Sequence, residues 1–309
     1  MANSKFWLII IFAVVVYLIM GIYADFSDLL AAIEHFNWIF FIIMIILTTL
    51  AYFIRFVKWN FFLKSVGVDL KLKDNLFVFF SGLGMTITPA KVGEIWKGWL
   101  IKDINGENLS KTVPVVITDR VTDLIGLLIL SLIGILYYKS GIYILVALIL
   151  IFAGFFLAIK SEKISSKLIS ILENRAGKYS KDIKTMHKTF LELMNPKNMT
   201  MMSFLSAFAW FFECLALYFV IMGFGQSISV ILSTFAFSFA TLVGTASMIP
   251  GGLGIAEATI SGMLQYFGLT ATISVGVAII IRFGTLWYGA ILGFLVYLIF
   301  KKKIIKETS

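Results

Sequence analysis

The sequence predicts an all-α polytopic membrane protein, and three observations carry that prediction. Hydrophobic residues make up 60% of the 309 residues and charged residues only 14%, with 30 Phe, well outside the composition of a soluble globular domain. Mean hydropathy is +0.97, and several apolar runs are long enough to cross a bilayer as helices. From Ser227 to Phe300, a stretch of 74 residues, only Glu257 and Arg282 are charged.

The elements follow in order. Lys5 precedes the apolar run Phe6 to Ile22, but "GIYADFSDLL" offers a poor cleavage site, so the run reads as a retained first helix. Tyr23 to Asn37 reads as a loop. A second span covers Trp38 to Val57 and ends in "RFVKWNFFLK", where Arg55, Lys58 and Trp59 read as an anchor at the membrane edge. Asn75 to Thr88 is apolar but about half the length of a span, and Pro89 interrupts it. A helix beginning near Lys111 is continuously apolar after Asp123, reaching Tyr138, and Gly141 to Ile159 is uncharged. Lys160 to Asn198 is polar, with nine Lys/Arg against four Asp/Glu, and its apolar residues (Ile164, Leu168, Ile171, then Met186, Phe190, Met194) fall at helical spacing. That pattern predicts helices lying on the membrane surface. Met199 to Gly223 is a further span, Ser227 to Phe267 an interrupted pair, and Ala271 to Phe300 a last long helix.

Residues 1–309 thus form one transmembrane domain of about six full helices plus two re-entrant, Pro/Gly-broken hairpins, eight hydrophobic segments in all. The net charge of +9 comes from basic residues in short loops beside apolar runs, where they set topology, so no nucleic-acid partner is expected. The Tyr23 to Asn37 loop is acidic, whereas the loop after Arg55, the polar insert and the "KKKIIK" tail are basic. The positive-inside rule therefore puts both termini in the cytoplasm of a cell-membrane, multi-pass protein. Cys214, the single cysteine, excludes an internal disulfide. His35 and His187, read as surface-loop residues, give no metal constellation, and no cofactor or ATP motif such as G-x-x-x-x-G-K-[ST] is present.

Two stretches look like one motif used twice. "ITPAKVGEIWKGWL" contains Pro89, Gly93 and Glu94; "MIPGGLGIAEATI" contains Pro250, Gly254 and Glu257. Pro and Gly are four apart in both, and an arginine follows at a similar distance: Arg120 lies 31 residues after Pro89, Arg282 32 after Pro250. Residues 38–138 and 199–300 therefore read as two repeats offset by about 161 residues, separated by the cytoplasmic, amphipathic basic insert 160–198. With the orientation above, the hairpins dip in from opposite sides, an inverted repeat of the kind transporters use.

A helix that starts inside the bilayer leaves about four backbone N–H groups unpartnered. Proline suits such a start, and Gly251, Gly252 and Gly254 let the backbone bend and approach a bound group. Free N–H groups and the helix dipole favour an anion, with Lys91, Arg120 and Arg282 adding formal charge. Glu94 and Glu257, costly if buried alone, call for partners: Lys97 or Arg120 for Glu94, Arg282 for Glu257. Asp119, Arg120 and Asp123 also fit an ion-pair cluster that fixes helix depth.

"TPAKVGEIWKGWLI", "TDRVTDLIGLLIL" and "IPGGLGIAEA", with "RFVKWNFFL" upstream, make the chain resemble the membrane domain of the lysylphosphatidylglycerol synthase/flippase family over nearly its whole length. The resemblance implies lipid movement between leaflets through a cavity formed by the two hairpins. It places Pro89, Gly93, Glu94, Arg120, Asp123, Pro250, Gly251, Gly252, Gly254 and Glu257 at motif positions. Lys97 stands where the family often has Arg, and Asp119 where it often has Glu. The chain ends nine residues after Phe300, so the resemblance carries no expectation of synthase activity.

The expected function is a flippase or transporter, not an enzyme, for a lipid with an anionic phosphate head group, either a membrane phospholipid or a polyprenyl phosphate. An embedded enzyme acting on a lipid-linked substrate and a non-catalytic scaffold are the alternatives. A homo-oligomer is compatible with the sequence.

Overall fold

The computed structural model describes residues 2–88, 93–134 and 180–306, with isolated positions between 142 and 154. Pro89 and Lys91, most of the predicted Gly141 to Ile159 span and the first half of the polar insert lie outside the described residues. Helix is the regular structure throughout, and no strand occurs among the described residues.

The helices are α1 (Ala2–Tyr23), α2 (Phe26–Glu34), α3 (Ile39–Ser65), α4 (Leu72–Leu83), α5 (Trp96–Asn105), α6 (Leu109–Gly134), α7 (Ser180–Leu193), α8 (Pro196–Gly223), α9 (Val230–Ala246), α10 (Ile255–Tyr266), α11 (Ala271–Arg282) and α12 (Tyr288–Lys306). Three stretches are long and apolar enough to cross a membrane, namely α3, α8 and Ala271–Lys302, and the bent pair α1–α2, at 96°, makes a fourth if it is one span. At about 1.5 Å per residue, α3 alone is ~40 Å long, more than the hydrocarbon thickness. The outward faces of these helices are apolar: Ile42, Ile46 and Val57 on α3, Phe204 and Phe208 on α8, Phe294 and Leu298 on α12 are all more than half exposed. Continuous apolar exposure of this kind belongs against lipid.

Local signals in the sequence set the helix ends. Asn195 caps α8, its side chain accepting the Lys197 N–H at 3.0 Å, and Pro196 takes the first turn, where its missing N–H costs nothing. Ser229 and Thr270 cap α9 and α11 in the same way. Gly106, at φ 76°, closes α5 in the left-handed conformation.

The predicted loop Tyr23 to Asn37 holds a helix instead. Asp25 accepts the Ser27 N–H at 3.1 Å and starts α2, whose Leu29 is buried. His187 lies within α7, not in a loop. The second half of the insert also departs from a free surface helix: α7 packs on α6, with Phe190 and Met194 beside Val121 and Ile125. Its apolar stripe is covered by protein, which gives it more burial than a lipid surface offers.

Two long helices, α3 and α8, pack against each other at the centre. The segments flanking them exchange partners: α4 packs on α12, and α9 packs on α6. Glycines set these crossings. A Cβ on Gly293 of α12 would run into the backbone of Gly84, and one on Gly134 of α6 into the Phe235 side chain of α9, so both pairs approach more closely than larger residues allow.

Candidate functional site

The second broken hairpin shows how the chain starts a helix inside the fold. α9 ends at Ala246, Pro250–Gly252 forms one 3-10 turn, and α10 begins after Gly254. Gly251, Gly252 and Gly254 all have positive φ (61°, 66° and 83°), and Met248 shares that region at 57°. For an L-residue this conformation costs roughly 1–2 kcal/mol, which is why glycine fills three of the four positions. A Cβ on Gly252 would also press on the Gly244 backbone at 3.1 Å.

Glu257 is fully buried. One carboxylate oxygen accepts the Gly254 N–H at 2.7 Å, capping its own helix, and the other accepts Arg282 Nε at 2.8 Å. Arg282 Nη2 donates to the Gly251 carbonyl. Arg282 is therefore a clamp, tying the turn to the helix that follows it. Directly after it, Phe283–Trp287 form a π-helical turn, a local widening common at functional positions. Tyr52 of α3 donates its hydroxyl to the Thr285 carbonyl of that turn at 2.7 Å.

The first hairpin uses the same ingredients. The Gly93 N–H is bonded to Thr88 Oγ1 at 2.8 Å. Glu94 meets Lys97 Nζ at 2.9 Å and Arg120 Nη1 at 3.3 Å, and both Glu94 and Lys97 are buried. The Lys97 ammonium stands 4.5 Å from the centre of the Trp59 ring, a favourable cation–π position. In both hairpins the glycine four residues after the proline, Gly93 and Gly254, already has a protein acceptor for its N–H. The free N–H cradle expected for an anion is thus occupied at that position, and positive charge for a ligand falls to the side chains.

Lys58, expected at the membrane edge, is fully buried. Its ammonium reaches Asp119 Oδ1 at 3.0 Å and Asp123 Oδ1 at 2.5 Å, and donates to Ser206 Oγ at 2.7 Å. Arg120 bridges the same carboxylates, at 2.6 Å to Asp119 and 3.1 Å to Asp123. Arg55 is corrected likewise. It is 7% exposed, paired with Glu213 of α8 at 2.8 Å, with its guanidinium carbon 3.9 Å from the Trp210 ring centre. The anchor reading fails because α3 continues to Ser65 and α6 and α8 cover this part of it. Glu213 and Trp210 were not anticipated. The signal was available, since Glu213 is the only charge between Asn198 and Ala256.

Between the hairpins lies a cavity of about 80 Å³ whose charged lining is Arg55, Lys97, Arg120 and Arg282 against Glu94 and Glu213. At roughly 10–15 Å³ per water it holds several waters or one small polar group, well below the ~300 Å³ at which pockets enclose a whole ligand. Four cations face two carboxylates, an excess of two positive charges. Behind them Asp119, Asp123 and Glu257 outnumber Lys58 by two, so the cluster is neutral overall and positive toward the cavity. Burying it is tolerable because each charge has an opposite partner. Among the described residues no group of three or more His, Cys, Asp or Glu could hold a metal ion.

The family described as "Lysylphosphatidylglycerol synthase TM region" matches residues 9–293. A UPF0104 membrane protein of Methanothermobacter thermautotrophicus is 26% identical over 287 residues, covering 86% of this chain and 85% of the relative. Another, from Pyrococcus horikoshii, is 24% identical over 98% of this chain and 100% of its own length. A third, from Methanocaldococcus jannaschii, is 25% identical over 72% of this chain and 97% of its length. No solved structure matches. On the extent of that family match, the chain belongs to the lysylphosphatidylglycerol synthase TM region family.

Proposed function

We propose that the chain is a lipid transporter rather than an enzyme, moving a lipid with an anionic phosphate head group between leaflets of the cell membrane. The observation that carries this reading is the cavity between two broken hairpins, with two positive charges in excess on its wall. A single phosphate group fits there, with the rest of the lipid outside the cavity. The family name connects the fold to a phosphatidylglycerol lipid, and both phospholipids and polyprenyl phosphates carry the required group.

The mechanism is alternating access between inverted repeats. Three features support the repeat: the pairing of Glu94 with Arg120 and of Glu257 with Arg282, the exchange of partners between α4–α12 and α9–α6, and the central α3–α8 pair. A two-fold relation between the halves produces reciprocal contacts of this sort. Both termini lie in the cytoplasm in this scheme, and six helices cross fully.

A leaflet-protection assay on purified protein in liposomes tests the function, following fluorescent phosphatidylglycerol and a fluorescent polyprenyl phosphate. Scrambling of at least one lipid is expected, with Glu257→Gln slower than the parent. If folded, inserted protein moves neither lipid, the reading fails.

A further inference from the structure

We propose that Arg55 is the residue that grips the phosphate, and that its ion pair with Glu213 is a latch between the two repeats which the substrate opens. This rests on the transporter reading and deepens it.

The donors facing the cavity are unequally committed. Arg282 spends Nε on Glu257 and Nη2 on the Gly251 carbonyl. Arg120 is shared among Glu94, Asp119 and Asp123, and Lys97 is held by Glu94. Arg55 has a single carboxylate partner, Glu213, and its Nε, like that of Arg120, is buried with no hydrogen-bond partner. A buried guanidinium N–H left open is costly, and an oxyanion in the adjoining cavity removes that cost. Stacking on Trp210 holds the guanidinium plane, so the fork can present two donors to two phosphate oxygens with little further ordering.

The partner residue explains what binding does. Arg55 lies in α3 and Glu213 in α8, the central helices of the two repeats. Among the described residues theirs is the ion pair that joins one repeat to the other. A phosphate at Arg55 competes with the Glu213 carboxylate for the same fork and repels it. Occupancy therefore weakens the tie between the repeats at the moment the head group is in place. An empty carrier stays latched, and a loaded one is free to rock. The competition also gives a selectivity: a neutral head group cannot displace a carboxylate and leaves the latch closed.

Isothermal titration of the full chain in detergent tests this, with dihexanoyl phosphatidylglycerol and inorganic phosphate as separate probes. Arg55→Gln should weaken lipid binding by about tenfold to hundredfold, the value of a lost charged hydrogen bond. Glu213→Gln removes the competitor and should tighten it, by roughly tenfold. The double variant Arg55→Met/Glu213→Leu replaces the ion pair with apolar groups; it should melt near the parent's temperature yet lose the binding. If it does not fold, Arg55→Lys, which keeps the charge but not the fork, should weaken binding by about tenfold. Inorganic phosphate that binds with the same Arg55 dependence supports the assignment and names the free ion as a ligand. Normal binding by the folded double variant, or by Arg55→Lys, would make Arg55 purely structural and overturn the inference while leaving the transporter reading intact. If the parent binds neither probe, both fall together.

Discussion

Replacing Lys58 with methionine keeps the apolar stem and deletes the ammonium at the junction of α3, α6 and α8. In the native chain that nitrogen meets the carboxylates of Asp119 at 3.0 Å and Asp123 at 2.5 Å, with Ser206 Oγ at 2.7 Å and the Asp119 carbonyl at 3.0 Å. Without it two buried carboxylates share Arg120 alone. Removing one partner from a buried ion pair costs about 3–5 kcal/mol. At roughly 2 °C per kcal/mol for a chain of this size, the melting temperature should drop by ~6–10 °C. Gel filtration of detergent-solubilised protein after stepwise heating reads that shift. The companion variant Lys58→Met/Asp123→Asn should recover part of the loss, because it also removes one stranded charge. A shift under about 2 °C, or a double variant worse than the sum of its parts, would show that the cluster is not the charge-balanced unit described here.

Other outcomes follow from the hairpins. Gly252→Ala combines a positive φ with a contact on the Gly244 backbone, and should destabilise by about 1–3 kcal/mol while slowing lipid scrambling; an unchanged melting curve argues against the turn geometry. Arg282→Lys keeps the charge but cannot hold Glu257 and the Gly251 carbonyl together, so scrambling should fall at least tenfold with a smaller loss of stability, measured on the same liposomes. Cys214 is fully buried, so N-ethylmaleimide should leave it unmodified until the protein is denatured. In a Cys214→Ala background, a cysteine placed at His35 should react with an impermeant reagent from outside intact cells and one at Lys302 only after permeabilisation; the reverse pattern would invert the topology.

The helical class, the break at Pro250, and the carboxylate–arginine pairs were legible because each leaves a local mark: a proline, a glycine cluster, or a charge alone in an apolar run. Glu213 left the same mark and was passed over because no proline or glycine stood beside it. Arg55 and Lys58 were misplaced for a different reason. Basic and aromatic residues at the end of an apolar run have the composition of a membrane edge whether they face lipid headgroups or a neighbouring helix. Their partners, Glu213 for Arg55 and Asp119 and Asp123 for Lys58, sit far along the chain, and periodicity within α3 carries no record of them. Free N–H groups are expected where a helix starts inside the bilayer; at Gly254 the acceptor came from Glu257, three residues on.

The separation of Lys58 from its partners also bears on how the protein is made. Asp119 is synthesised 61 residues after Lys58, and Ser206 148 residues after it. When α3 leaves the ribosome, its ammonium and the nearby Arg55 guanidinium have nothing to neutralise them, and a basic residue deep in a helix adds about 2.5–3.5 kcal/mol to the free energy of membrane insertion. The cost of burying the last turns of α3 is therefore offset only once α6 supplies two carboxylates and α8 a third. Translation order thus makes the charge cluster a contact that closes late, because its anions follow its cations along the chain.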